Sequence, residues 1–186
     1  MSNIEIEARF LDINKEKLID SLHKVGAIDC GEELLEEVIF YDKDFKWRDV
    51  EHKFIRLRKN NKKVVLTYKQ HITHTVDGSE EIEFEIESLE KGINFLNKID
   101  LLEARHQEKK RHTFTFNDVT IDIDTWPRIP TYVELEADSE EKIKETAILL
   151  GFDWNKANFE NAGYIIENRY HIPVLSLKWF TFDKFE

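Results

Sequence analysis

The sequence feature that most restricts this chain is a strict two-residue alternation, first met at Ile4-Glu5-Ile6-Glu7-Ala8-Arg9-Phe10. Successive side chains of a strand point to opposite faces. One face of this strand is therefore apolar, and the other carries Glu5, Glu7 and Arg9. The two carboxylates lie roughly 7 Å apart at a rise of about 3.3 Å per residue. Like charges that close need water, a base or a metal ion beside them. An ordinary solvated sheet face explains one such strand; the pattern gains meaning because later strands repeat it.

Phe54-Ile55-Arg56-Leu57-Arg58 sets Arg56 and Arg58 on one face, and Asn60-Asn61 turns the chain into a hairpin partner at Val64–Lys69, where Lys69 shares a face with Val65 and Thr67. Glu81 to Glu87 carries four carboxylates over an apolar reverse side. Lys109 to Phe116 puts Lys109, Arg111, Thr113 and Thr115 opposite Phe114 and Phe116. Asp122 pairs with Asp124 in Val119–Asp124, and Glu134 with Glu136 in Tyr132–Glu136. A further strand is read over Glu33–Asp42, Lys43–His52 reads as a loop with Trp47 isolated in it, and His71–Ser79 reads as a loop turning at Asp77-Gly78.

Between the strands lie helical stretches. Asn14 caps a helix over Lys15–Lys24 that Gly26 stops; others are read at Leu89–Ile99, from Ser139 to Leu150, and over Asn158–Tyr170. The tail residues Trp179, Phe180, Phe182 and Phe185 are expected to pack on the body. About eight strands and several amphipathic helices predict an α+β fold, with helices on the apolar face of the sheet. The charged face is then either open to water or curled inward as an eight-stranded antiparallel barrel whose lumen is charged. Sorting of charge by strand, acidic at Glu5/Glu7, Glu83/Glu85, Asp122/Asp124 and Glu134/Glu136 and basic at Arg56/Arg58 and Lys109/Arg111, favours closure; solubilising charge mixes signs along each strand more freely.

Composition narrows the function classes. The 186 residues suffice for one domain with a sizeable core, read as 1–186. A net charge of −11 counts against nonspecific binding to nucleic acid or an anionic membrane, while leaving room for a small anion in a basic pocket. Cys30 is the only cysteine, so an internal disulfide or a cysteine metal cluster is excluded. No apolar run is long enough to cross a bilayer, and Met1–Phe10 lacks the order of a signal peptide; the expectation is a cytoplasmic protein. Oligomeric state stays open, a dimer included. Several residues also carry plain structural readings. Arg56 and Arg58 can pair with Glu83 and Glu85 across strands, Asp122 reads as solvated or turn-stabilising, and Tyr41 and Trp126 read as core. His71-x-x-His74 lacks a third ligand for zinc.

Taken in order, Glu5-x-Glu7-x-Arg9, Phe40-Tyr41-Asp42, Arg56-x-Arg58, Thr67-x-Lys69, Glu83-x-Glu85, Lys109-x-Arg111, Asp124 before Trp126, and Glu134-x-Glu136 resemble the CYTH superfamily, the triphosphate tunnel metalloenzymes. The resemblance covers about residues 2–150, and Asp124-Thr125-Trp126-Pro127 with the helical, aromatic tail is most similar to the bacterial class IV adenylyl cyclase-like branch. It implies a tunnel binding a nucleoside triphosphate or inorganic triphosphate with Mg²⁺ or Mn²⁺. Glu5, Glu7, Glu134 and Glu136 would hold the metal, with Asp124 or Glu85 as helper; Arg9, Arg56, Arg58, Lys69, Lys109 and Arg111, beside Glu83 and Glu85, would face the substrate; Arg9 and Lys69 would act in catalysis. The implied reaction is conversion of ATP to cyclic AMP and pyrophosphate, or hydrolysis of tripolyphosphate, a nucleoside triphosphate or thiamine triphosphate. The family signature ends in lysine where this chain has Arg9, which keeps the charge but cannot accept a proton, so a noncatalytic triphosphate binder is a third expectation.

Overall fold

A computed structural model describes the backbone of residues 3–71 and 79–186, with side chains from residue 6 onward except those of His71 and Ser79. The expected turn at Asp77-Gly78, together with His74, lies outside the described residues. The elements run β1 (Asn3–Phe10), α1 (Lys15–Val25), β2 (Ile28–Tyr41), α2 (Lys46–Asp49), β3 (Lys53–Lys59), β4 (Val64–His71), β5 (Ser79–Ile86) and α3 (Leu89–Lys98). They continue with β6 (Leu102–Phe116), β7 (Val119–Thr125), β8 (Tyr132–Ala137), α4 (Glu140–Leu149), α5 (Ala162–Asn168) and β9 (Trp179–Phe180).

The strands pair in the order β2-β3-β4-β5-β1-β8-β7-β6, and β6 pairs back onto β2. All eight contacts are antiparallel, so the sheet curls until its ends meet, which removes the open edges a flat sheet would leave. β9 adds to β6 in parallel. The α+β curled antiparallel sheet read from the alternation is the observed architecture. The register also fixes which charges meet: Arg9 faces Glu134, Glu7 faces Glu136, and Thr67 faces both Arg56 and Glu83.

Two strands are longer than their alternation suggested. β2 and β6 pair from Ile28↔Thr115 to Tyr41↔Leu102, with register shifts at Asp29/Gly31 and Ile39/Phe40. A bulge moves a side chain across the sheet and breaks the period-two signal. Gly31, at φ 93°, holds a conformation that L side chains rarely adopt, and so permits the first shift. The segment read as a loop over Lys43–His52 contains α2, whose Trp47 amide is held by Asp42 Oδ1 at 2.8 Å; Trp47 is not isolated, since Lys53 Nζ sits 4.8 Å from its ring centre. The last helix is shorter than expected because Asn158 is used elsewhere: its backbone exchanges hydrogen bonds with Arg9 at 2.8 and 2.9 Å.

The outer face of the sheet supplies the core. Under α1 and α4, Leu22 and Ile143 bury against Phe114, Ile121, Val133 and Leu135. Under α3, Leu96 meets Val38, Phe40 and Leu57. Helix ends follow their capping residues, with Asn14 accepting from the Lys17 amide, Gly26 at φ 81°, and Ser139 accepting from the Lys142 amide. The aromatic tail packs as expected through Phe180, fully buried and edge-on to Phe185, and through Trp179, stacked on His106 at 4.1 Å. Phe182 stays largely exposed. Among the described residues no helix is long and apolar enough to cross a membrane.

The two faces should respond differently to truncation. Leu135→Ala, at a fully buried position, is expected to cost about 2–5 kcal/mol in urea unfolding. Glu85→Ala, on an exposed side chain, should stay within about 0.5 kcal/mol.

Candidate active site in the charged lumen

The inward face of the curled sheet encloses a cavity of about 450 Å³. β1 contributes Glu7 and Arg9, β3 Arg56 and Arg58, β4 Lys69, β5 Glu81 and Glu83, β6 Arg105 to Arg111 on alternate residues, and β8 Tyr132, Glu134 and Glu136. Part of its wall comes from outside the sheet, from Phe159 to Asn168 with Val174 and Leu175.

Burial makes every charge here depend on a partner. Arg111 is the best served: it grips both oxygens of Asp124 at 2.7 Å, meets Asp122 at 2.5 Å and reaches Glu134 at 3.3 Å. Burial alone would lower its pKa, but Asp124 and Asp122 raise it well above the usual guanidinium range. Arg58 donates through Nε to Glu37 at 2.7 Å, and Glu37 more than reverses the effect of burial on it. Arg9 places Nη2 2.7 Å from both Glu7 and Glu134 while Nη1 donates to the Glu160 carbonyl at 2.8 Å; again burial is outweighed, here by Glu134 and Glu7.

A second set of cations is less well compensated. Arg56, pushed down by burial and by Arg58 beside it, has only a 3.4 Å contact to Glu83 and a 3.5 Å contact to Thr67, and its buried Nε has no partner among the described residues. Arg105 is pushed down by burial, and Lys109 by burial and by Arg111, even though Lys109 Nζ bonds Asp124 at 2.7 Å. Buried positive charge without full compensation is what a bound anion would satisfy.

The carboxylates mirror this. Glu37, Asp124 and Glu134 are each opposed by burial, yet are held below the ordinary range by Arg58 and Arg56, by Arg111 and Lys109, and by Arg9 and Arg111 respectively. Asp122 goes the other way, because burial outweighs Arg111.

A curled eight-stranded sheet with such a lumen agrees with what comparison finds: the CYTH domain profile matches residues 3–152. The chain belongs to the CYTH family. It is 29% identical over 147 residues, 76% of this chain and 82% of the other, to a Methanocaldococcus jannaschii protein provisionally named an adenylate cyclase. Among solved structures it superposes on a Vibrio parahaemolyticus protein, also provisionally named an adenylate cyclase, with TM-score 0.74 at 15% identity, covering 90% of this chain and 99% of that one. A Hippeastrum protein provisionally named an adenylyl cyclase, described as having a dominant triphosphatase activity, superposes with TM-score 0.63 at 18% identity over 92% and 96% of the two chains.

The CYTH motifs meet in the lumen with several departures from expectation. Arg56 pairs with Glu83, as the cross-strand reading allowed, whereas Arg58 turns to Glu37. Glu85 does not line the cavity; its exposed side chain reaches Lys63 at 3.2 Å. Asp122 is neither solvated nor in a turn, being buried against Arg111 and the Thr113 hydroxyl. Asp124 is fully buried with both oxygens taken by Arg111 and Lys109, which makes it an anchor for two cations instead of an open metal donor. Tyr41 and Trp126 are buried, as the core reading held, and both still touch the cavity. Lys69 pairs with Glu81. The Glu5 side chain lies outside those described.

Sequence reasoning missed Glu37, Glu81, Arg105, Gln107 and the Glu160 carbonyl. Glu81 shares the parity of Glu83, and Arg105-x-Gln107-x-Lys109-x-Arg111 is one unbroken alternation, so both were within reach. Glu37 gave no signal, sitting between Leu35 and Ile39 on the same face.

Among the described residues no three metal-binding side chains are drawn into a ready cluster. Glu7, Glu134 and Glu136 nevertheless share one wall on paired strands, all oxygen donors. That set fits Mg²⁺ or Mn²⁺, which commonly take one or two carboxylates and complete their shell with substrate phosphates and water.

Glu37 offers a direct test of the charge balance. Its carboxylate is charged in the folded state well below the unfolded pKa of about 4.3, so its stabilisation is present above that value and is lost as pH falls from about 5 toward 2. Glu37→Gln should cost about 3–5 kcal/mol near neutral pH by stranding Arg58. Urea unfolding across that pH range should also show a shallower loss of stability in the variant than in the parent.

Proposed function

We propose that the lumen binds a triphosphate together with Mg²⁺ or Mn²⁺ and that the protein is a metal-dependent enzyme acting on it, in the manner of a class IV adenylyl cyclase. The observation that carries this reading is the set of buried or part-buried, under-compensated cations, Arg56, whose Nε has no partner among the described residues, Lys109 and Arg105, lining a cavity of about 450 Å³. Guanidinium groups offer forked donors that match phosphate oxygens.

On this reading Arg56 and Lys109 hold the phosphate chain. Lys69, positioned by its ion pair with Glu81, neutralises charge that develops on the phosphoryl oxygens. Arg111 and Arg58, already satisfied by Asp124 and Glu37, shape the wall and give a weaker contact. Glu7, Glu134 and Glu136 would hold the metal, which when bound supplies Lewis-acid polarisation of the phosphate. Cyclisation requires the ribose 3′ oxygen to attack the α-phosphorus as pyrophosphate leaves. Hydrolysis puts water in that place, and the triphosphatase activity ascribed to the Hippeastrum neighbour keeps this as the second reading. We further propose that residues 1–186 act as one unit in a cytoplasmic protein that does not bind nucleic acid.

Incubation with ATP, tripolyphosphate or thiamine triphosphate plus Mn²⁺, with cyclic AMP, pyrophosphate and phosphate resolved, tests the proposal. Cyclic AMP and pyrophosphate are expected; phosphate alone would replace the cyclase reading by the hydrolase, and tight binding without products would leave a binder. Arg56→Ala should weaken triphosphate binding more than tenfold with little change in melting temperature, because its partners are weak. Arg58→Ala should lose stability as well, since it strands the buried Glu37.

A further inference from the structure

Arg9 has both terminal nitrogens committed within the protein, while its buried Nε has no partner among the described residues. Its Nη2 sits 2.7 Å from Glu7 Oε1 and 2.7 Å from Glu134 Oε2, and its Nη1 is committed to the Glu160 carbonyl at 2.8 Å. The residue is held at both ends: its backbone is locked to Asn158 by two hydrogen bonds, and its side chain is only 5% exposed. Glu7 projects from β1 and Glu134 from β8, so the guanidinium spans the seam between the two strands that carry the proposed metal ligands. A positive group that close to both carboxylates does the electrostatic work that a hard divalent ion would do there.

We infer that Arg9 is a built-in counter-cation at the metal-binding wall: its guanidinium bridges Glu7 Oε1 and Glu134 Oε2, and a divalent ion bridges those two oxygens only by displacing it. This rests on the proposal that Glu7, Glu134 and Glu136 are the metal ligands. In the protein without substrate, metal affinity is therefore suppressed, because binding must break two close ion pairs and leave a buried guanidinium without its carboxylate partners. Removing the guanidinium reverses the balance. Glu7 then loses its 2.7 Å cation contact and Glu134 keeps only the longer one to Arg111 at 3.3 Å, and hard cations prefer such under-compensated oxygen donors. Lysine at this position carries one compact ammonium in place of the planar fork, so it cannot span Glu7, Glu134 and the Glu160 carbonyl in the same way.

The test is titration of the full chain with Mn²⁺ alone, free of phosphate, with unbound Mn²⁺ read by electron paramagnetic resonance. Arg9→Ala is expected to bind Mn²⁺ at least tenfold more tightly than the parent, Arg9→Lys to fall between them, and Glu7→Gln added to Arg9→Ala to abolish the gain. Circular dichroism confirms that each variant is folded. Should Arg9→Ala fail to fold, Arg9→Lys decides: at least threefold tighter binding supports the inference, and equal or weaker binding overturns it. A folded Arg9→Ala with unchanged or weaker affinity also overturns it. If Mn²⁺ binding in that case still falls in Glu7→Gln and Glu136→Gln, the metal reading stands and only the role of Arg9 is lost. If neither substitution affects Mn²⁺ binding, the carboxylate wall is not a metal site and both fail.

Discussion

The lumen exists because Arg111 and Asp124 hold each other. A fully buried carboxylate gripped through both oxygens by one guanidinium, and bonded again by Lys109, lets β6 and β7 turn charged side chains inward with Arg111 and Asp124 compensated and Lys109 anchored. Desolvating such groups singly costs several kcal/mol each, and only close pairing with extra hydrogen bonds offsets it. From that centre the pairing spreads around the ring. Arg111 reaches Glu134, Glu134 reaches Arg9, and Arg9 reaches Glu7. On the opposite side Arg58 is tied to Glu37, and Glu37 accepts from Gln107 at 2.5 Å. Where this chain of compensation weakens, at Arg56, the protein presents its demand for an anion.

Function and stability are therefore separated by residue instead of by region. Side chains two residues apart on the same strand play different parts: Arg58 is part of the scaffold through Glu37, while Arg56 makes only longer contacts, to Glu83 and Thr67. The same division runs along β6, where Arg111 is fully satisfied and Arg105 is held by Gln107 Oε1 at 2.7 Å and the Val174 carbonyl at 3.2 Å, with burial still pushing its pKa down. Polar side chains packed this densely cannot be varied independently, since neighbours in one network couple.

The architecture was legible because alternation is a local signal: each strand announces its two faces within a few residues, and charge sorted by strand told the inner face from the outer. Legibility failed where an interaction is nonlocal or the period is interrupted. The bulges at Gly31 and Ile39 hid the full length of β2 and β6. Glu37 could not be read as part of the site, because its meaning comes from Arg58 and Gln107, on the strands flanking it. Asp122 and Asp124 were read as one acidic pair, yet their environments push their pKa values in opposite directions through burial and the number of cations each meets. Even the motif most visible in the sequence, Glu5-x-Glu7-x-Arg9, did not disclose that its last member bonds a carbonyl some 150 positions along the chain.

That bond carries a consequence for how this branch of the family changes over time. The family match ends at residue 152, and Arg9 ties the inherited barrel to the stretch that follows, through Asn158 and Glu160. A side chain at position 9 and the path of residues 158–160 are thus one heritable unit. Exchange of the arginine removes the guanidinium donor from the Glu160 carbonyl, and rerouting of the tail leaves a guanidinium nitrogen wanting an acceptor. Either step alone passes through a less stable intermediate, so lineages should keep or lose the two together.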